Sequence, residues 1–461
     1  MRLGDATVDR LPATVSRARY DRAAQRCGIV HLGIGAFHRA HQAVYTDDAM
    51  AAGDRDWAIA AVSLRSPVVR DALGPQHWLY TVTERGAAGD ATRLIGAVGS
   101  VLVAREDPAA VATALADAST RLVTLTVTEK GYHRQPDGTL DPAILADAGG
   151  TIYAHLAAGL ARRRTAGLPG LTLVSCDNLA DNGRALAQTL AAYLDRVDPA
   201  LRAWFEAECA CPSTMVDRIV PAVTETDLAD VAARIGMRDE GAVVTEPFRQ
   251  WVIEDRFAGP RPRWEMVGAQ LVGDVRPFET AKLRLLNGAH SALAYLGLAA
   301  GHRFVHEAIA DPAIRALVDR LMRHEATASI DAAPDQDLAA YADALVARFA
   351  NAALPHALAQ IATDGSQKIG ARWLAPLAIN RARGVACPAT LRALAAWIVH
   401  VRGDDHRVDD PRASTLATLW RTAGAGGIAA ALFGAGGAMA SAALDAAALE
   451  TLTDHVRAAA A

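Results

Sequence analysis

The sequence predicts an α/β protein in two parts. Residues 1–275 read as a domain built on a parallel sheet with helical crossovers, and residues 276–461 as a mainly α-helical domain. Three observations carry this expectation. In the first half, short apolar runs alternate with helix-compatible stretches, the pattern of parallel strands joined by helices. One of those runs ends in a glycine turn, Gly33-Ile34-Gly35. Beyond about Pro277, strand-like runs give way to helical periodicity. A chain of 461 residues suits two domains.

Taken in order, the first predicted strand is the run Gly28 to Gly33 (GIVHLG). Trp57 to Leu64 (WAIAAVSL), Leu122 to Val127 (LVTLTV) and Leu171 to Cys176 (LTLVSC) repeat its style. Between them, Ile152 to Ala166 places Ile152, Leu156 and Leu160 four apart on one helical face, and Gly183 to Val197 reads the same way. In the second half, Lys282 to Ala300, Asp311 to Arg323, Asp337 to Ala350 and Ala389 to Val401 read as helices. The uncharged stretch Ala423 to Leu444 is long enough to span a bilayer. It is built from Ala and Gly, which contribute little transfer energy, so it is predicted as a pair of short buried helices broken at glycines.

Composition narrows the function. Lys+Arg number 47 against 51 Asp+Glu, and this near balance argues against a nucleic-acid binder, which carries a basic stripe. Cys27, Cys176, Cys209, Cys211 and Cys387 are scattered, so neither a disulfide framework nor a zinc site is expected. That cysteine pattern suits a reducing compartment, and the N-terminus does not read as a signal peptide, so a cytoplasmic location is expected. The expected partner is a small molecule, with the chain acting as a monomer or small homo-oligomer and without membrane contact.

Gly33-Ile34-Gly35-Ala36-Phe37-His38 follows a strand and precedes a helical pattern, as a Rossmann-type dinucleotide turn requires. The first glycine permits the tight turn, and the second lets the backbone approach a pyrophosphate. The helix N-terminus then offers N–H groups to it. The usual third glycine is replaced by His38, and a plain glycine turn accounts for the same residues. His38, Arg39 and His41 crowd this turn and would add cationic donors near phosphates. At the end of the second strand, Leu64-Arg65-Ser66-Pro67 lacks the acid that grips an adenosine ribose. Arg65 and Ser66 suit a 2′-phosphate there, or Arg65 is simply solvated.

The segment Glu279 to His290 (ETAKLRLLNGAH) carries the catalytic expectation. With Thr280 as cap and α-helical spacing, Lys282, Asn287 and His290 fall within an arc of roughly 140°. An amine, an amide and an imidazole then project from one face. A lysine in the first turn faces the positive end of the helix dipole, which favours the neutral amine that a base needs. A merely solvated helix face explains the same pattern. Asn178, in Cys176-Asp177-Asn178, is predicted at the carboxyl edge of the sheet, where ligands bind.

Together these segments resemble the polyol-specific long-chain dehydrogenases, the family of mannitol 2-dehydrogenase and fructuronate reductase (D-mannonate oxidoreductase). The matching stretches are IVHLGIGAFHRAHQAVYTDDAM, LTVTEKGY, VSCDNLADNG, TMVDRIVP, EPFRQWVIEDRF, KLRLLNGAHSALAYLG and DGSQK, in order from residue 29 to about 368. The resemblance implies zinc-independent interconversion of a secondary alcohol and a ketone at C2 of an open-chain polyol or aldonate. It implies Lys282 as general base beside Asn287 and His290, Asn178 as the second amide of the oxyanion site, and Asp217 and Lys368 as substrate or supporting contacts. Glu279 is implied as the carboxylate that passes the lysine's proton to solvent. Gly33, Gly35, Phe37, His38 and Arg39, with Arg65, are the implied cofactor contacts. NAD is the implied cofactor, with NADP possible because the acids that NAD-preferring relatives carry after Leu64-Arg65 are absent.

No tyrosine has a lysine four residues on, which excludes short-chain dehydrogenases. A dinucleotide-binding sensor is the non-enzyme alternative; it has no need of a base, and the intact Lys282, Asn287 and His290 argue against it. Among substrates, the expectation places D-mannonate/D-fructuronate slightly ahead of D-mannitol/D-fructose, with other hexitols and pentitols behind. A carboxylate substrate needs a cation, and Lys368, Arg249 and Arg218 are the candidates. Internal pairing of those cations with Asp217, Glu246 or Glu254 is the competing explanation.

Overall fold

The computed structural model describes residues 1–146, 150–439 and 444–461. The chain divides into two compact units, Met1–Val275 and Arg276–Ala461.

The first unit is built around a five-stranded sheet in which every pairing is parallel. Its strands are β1 (Cys27–Leu32), β2 (Ala58–Ser63), β3 (Val98–Val103), β4 (Leu122–Leu125) and β5 (Thr172–Ser175), in the order β3-β2-β1-β4-β5. The direction of winding reverses between β1 and β4, and in such sheets a ligand crevice opens at that point, outside the carboxyl ends of the strands. Alternate residues of the central strands feed opposite faces. Ile29, Ile59 and Ala61 enter one core, and Val30, Leu32, Ala60 and Val62 the other. Burial on both faces is why these strands read as continuous apolar runs. Helices Ile152–Thr165 and Asn182–Val197 bury Leu156, Leu160, Leu186, Leu190 and Leu194 in the second of these cores.

Two smaller sheets were not expected. One is ordered Ser16–Arg17, Gly89–Ile95, Tyr80–Gly86, Val243–Thr245, around an antiparallel hairpin. The other is ordered Gln270–Val272, Gln250–Glu254, Thr214–Asp217.

The second unit is helical. Its central rod runs from Arg276–Ala281 through a π-helical stretch, Lys282–Asn287, into Gly288–Ala299. Ala289, Ala292, Leu293 and Ala294 are fully buried in a core shared with Pro388–His400 and Ala413–Phe433. The Ala/Gly-rich stretch forms helix up to Phe433, broken at Gly424, whose φ of 61° no helix interior tolerates. Gly426 and Gly427 were expected to punctuate a loop and lie within that helix instead. Residues 440–443 of the same stretch lie outside the described residues. Among the described residues no helix is long and apolar enough to cross a membrane.

Candidate active site

At the glycine turn the two glycines do different work. Gly33 has φ +104°, and a Cβ there would sit 2.1 Å from the Thr126 carbonyl oxygen, so the fold itself demands glycine. Gly35 has φ −84°, is exposed, and a Cβ on it would meet only the Gly33 carbonyl oxygen at 3.9 Å. Nothing in the protein's own packing requires glycine at 35. The open space over its backbone, at the start of helix Ala36–Ala40, gives a pyrophosphate room to approach. The residues present therefore fit a dinucleotide.

Beneath the turn, His31 Nε2 lies 3.1 Å from the Gly33 carbonyl oxygen and 3.0 Å from Thr126 Oγ1, and its Nδ1 lies 2.8 Å from Thr124 Oγ1. His38 stacks on His31 with ring centroids 3.3 Å apart. His41 Nε2 donates to the Gln250 carbonyl at 2.8 Å, while Gln42 Nε2 donates to its Nδ1 at 3.0 Å. All three imidazoles are fully buried. Burial pushes His31 and His41 down to about 3 and His38 well below its usual range. The expectation of cationic histidines at the phosphates is thus corrected: these rings are neutral parts of the scaffold. Arg39 is corrected in the same way. Its guanidinium donates to the Gly241 carbonyl and lies 5.8 Å from the centre of the Tyr80 ring. Phe37 is half-buried and stacks on His41. Arg65 lies two residues beyond β2, is exposed, and makes no hydrogen bond or ion pair among the described residues.

At the carboxyl edge, Asn178 follows β5 and is exposed, where the sequence placed it. Its neighbour Asp177, not singled out from the sequence, organises this edge. Its buried carboxylate accepts from Val127 N (3.1 Å), Thr128 N (2.7 Å) and Tyr132 Oη (2.8 Å). Asn182 then ties the loop to the next strand, donating to the Thr214 carbonyl at 2.9 Å and accepting from Thr214 N at 2.8 Å. Asp217 ends that strand and is buried. A carboxylate placed directly after a strand end was the signal for Asp177.

Two of the cations considered for a substrate carboxylate are already engaged. Arg218 is completely buried, pairs with Glu84, and donates to the Ala40 and Glu246 carbonyls. Arg249 pairs with Asp48 at 2.8 Å and lies over the Tyr45 ring. Internal pairing therefore holds for both, with acids other than Asp217, Glu246 or Glu254.

In the helical unit, the rod begins at Arg276 rather than near Thr280. Lys282 therefore lies in its second turn, and the first-turn dipole argument fails, because that effect fades within one turn. The π-helical stretch supplies a different geometry. Its hydrogen bonds run between residues five apart, so Lys282 and Asn287, its first and last residues, fall one turn apart. That aligns them more closely than α-helical spacing allows. Both are half-buried, and Glu279 stands three residues before the lysine on the same rod. His290 is buried, packed on Phe349 (centroids 4.8 Å apart) and edge-on to His356 (5.4 Å). Burial, with His356, Arg348 and Arg372 nearby, holds its pKa well below the usual value, so the ring is neutral. Lys368, half-buried in helix Gly365–Ile369, donates to the Thr363 carbonyl at 2.5 Å and to its hydroxyl at 3.3 Å. Among the described residues no group of His, Cys, Asp or Glu could hold a metal.

Two family models match the chain: the mannitol dehydrogenase Rossmann domain over residues 27–266 and the mannitol dehydrogenase C-terminal domain over residues 274–429. The chain belongs to the mannitol dehydrogenase family. It is 42% identical to an uncharacterized oxidoreductase of Escherichia coli, YeiQ, over 86% of this chain and 83% of that protein. It is 40% identical to the D-mannonate oxidoreductase of Escherichia coli, over 85% and 84%. Its structure is similar to Pseudomonas fluorescens mannitol 2-dehydrogenase, solved as a ternary complex with NAD and D-mannitol. That match has a TM-score of 0.81 at 34% identity and covers 100% of this chain and 96% of that one.

Proposed function

We propose that this protein is a zinc-independent, NAD(H)-dependent oxidoreductase interconverting a C2 secondary alcohol and ketone of an open-chain sugar derivative, with D-mannonate/D-fructuronate preferred over D-mannitol/D-fructose. The observation that carries the reading is the π-helical turn that sets Lys282 and Asn287 one turn apart, with neutral His290 three residues on. When bound, the nicotinamide supplies the hydride acceptor. Gly33 and Gly35 shape its phosphate site. Lys282, as the free amine, takes the C2 hydroxyl proton and passes it by way of Glu279 to solvent. Asn287 donates a hydrogen bond to the developing alkoxide, and the family resemblance assigns Asn178 the second one. Donors fixed beforehand act on the transition state more than on the ground state. His290 orients the substrate oxygen.

The test is the absorbance of the reduced nicotinamide during polyol oxidation and ketose reduction. Lys282→Ala is expected to lower turnover by about 10²–10⁴-fold. In the wild type, the log rate of oxidation is expected to rise with pH over one proton. Near-native turnover in the variant, or a flat profile, refutes the assignment. A second reading, NADP in place of NAD, is favoured by the exposed, unpartnered Arg65 beyond β2.

A further inference from the structure

We propose that Arg372, outside the motifs that marked the site in the sequence, binds the carboxylate of a sugar-acid substrate together with Lys368. This rests on the hydride-transfer reading above and specifies its substrate class.

Helix Gly365–Ile369 runs into another π-helical stretch, Gly370–Leu374, and Lys368 and Arg372 stand four residues apart along it. This stretch lies against the rod that carries Asn287 and His290. Trp373 Nε1 donates to the Gly288 carbonyl at 3.1 Å, and a Cβ on Gly288 would lie 3.5 Å from the Arg372 carbonyl oxygen. The Arg372 guanidinium donates to Ser291 Oγ at 2.7 Å and reaches the Asn287 carbonyl at 3.4 Å. Ser291 adjoins His290 in sequence. The cation is thus held beside two residues assigned to the reacting centre.

Both partners of Arg372 are neutral, and among the described residues it makes no ion pair. The same is true of Lys368, whose ammonium bonds only to Thr363. Burial lowers the pKa of each; the charge of Arg372 lowers that of Lys368 further, and Asp364, Asp410 and Asp409 offset part of it. Arg218 and Arg249 differ in this respect, because the fold supplies each with a carboxylate. Lys368 has the field of Asp364, Asp409 and Asp410 without a direct ion pair, and Arg372 has no carboxylate beside it, so the half-buried guanidinium is unfavourable in the free protein. A carboxylate substrate supplies the missing charge, and a neutral hexitol does not. Ser291 and the Asn287 carbonyl both take their hydrogen bonds from Nη1, which leaves the Nε–Nη2 edge for two-point contact with a carboxylate.

The experiment compares kcat/KM for D-fructuronate and D-fructose at saturating NADH in the wild type, Arg372→Met and Ser291→Ala. Arg372→Met is expected to lose about 30- to 1000-fold on fructuronate and less than about threefold on fructose. Ser291→Ala keeps the guanidinium and loosens its anchor, so a smaller loss, again selective for fructuronate, is expected; it serves as the readout if Arg372→Met fails to fold. Equal losses on both ketoses, or none on either, overturn the role of Arg372. A wild type that reduces fructose and not fructuronate leaves the hydride-transfer reading standing and overturns the carboxylate assignment. A wild type that reduces neither overturns the carboxylate assignment and both named substrate pairs.

Discussion

Two substitutions two residues apart are expected to fail in opposite ways. Gly33→Ala places a Cβ 2.1 Å from the Thr126 carbonyl oxygen, on a backbone with φ +104°. The left-handed conformation alone costs an L-residue about 1–2 kcal/mol. The overlap, against backbone one residue beyond β4 that Thr126 N ties to the Leu32 carbonyl at 2.9 Å, brings the total to about 3 kcal/mol or more. In a unit of this size that lowers the melting temperature by about 5–10 °C. Gly35→Val is different: φ is −84° and the nearest atom to the new Cβ is 3.9 Å away. Its effect on folding is expected to stay within about 1 kcal/mol, the range of helix-cap changes. The added side chain fills the space over the backbone N–H groups at the helix start. Losing one or two hydrogen bonds to a charged phosphate, each worth about 1.5–3 kcal/mol, weakens NADH binding by about 10-fold to more than 100-fold. Thermal unfolding and NADH fluorescence titration of both variants separate the effects. A Gly35→Val protein that binds NADH as the wild type does removes the phosphate cradle. A Gly33→Ala protein that melts with the wild type removes the argument from close approach.

Acid is expected to destabilise the first unit through its buried histidines. His31 and His41 titrate at about 3 when folded and near 6.5 when unfolded. Their contribution is complete above pH 6.5 and falls as pH drops toward 3, by about 1.4 kcal/mol per pH unit for each ring. Urea unfolding at pH 7 and pH 5 measures this, and a stability that does not change between them contradicts it. In the second unit, Glu325 is buried and accepts from Ala389 N and Thr390 N, both at 2.8 Å, capping helix Pro388–His400 from a neighbouring helix. Glu325→Ala strands both N–H groups and should cost about 3 kcal/mol or more in urea unfolding, with Glu325→Gln recovering part of it. Arg65→Ala separates the two cofactor readings: a selective loss of NADPH affinity means that a 2′-phosphate is a native ligand, and equal affinities before and after mean that it is not.

What was legible in the sequence follows from what each element buries. β1, β2, β4 and β5 are packed on both faces and spell themselves in Ile, Val, Leu and Ala. β3 (VGSVLV) is diluted by Gly99 and Ser100 and escapes that reading. The hairpin Tyr80–Gly86/Gly89–Ile95 escapes it for another reason. Glu84, Arg85 and Arg93 look like loop residues, yet each is satisfied by an ion pair within the first unit, with Arg218, Asp227 and Asp48 respectively. Charge pattern hides a strand whenever the counter-charge lies far away in sequence.

The site shows the same division. Spacing put Lys282, Asn287 and His290 on one helix, and the structure carries all three on one rod. Spacing did not show the pitch itself: no local signal distinguishes a π-helical turn from an α-helical one, so the alignment of the lysine with the amide was misjudged. Cations were harder still. Lys368, Arg218 and Arg249 were equivalent candidates for a carboxylate, and Arg372 was not among them. The partner of Arg218 lies 134 residues away at Glu84. What distinguishes these cations is whether the folded chain gives each a direct ion pair, and that property belongs to the tertiary structure: Arg218 and Arg249 have one, and among the described residues Lys368 and Arg372 do not.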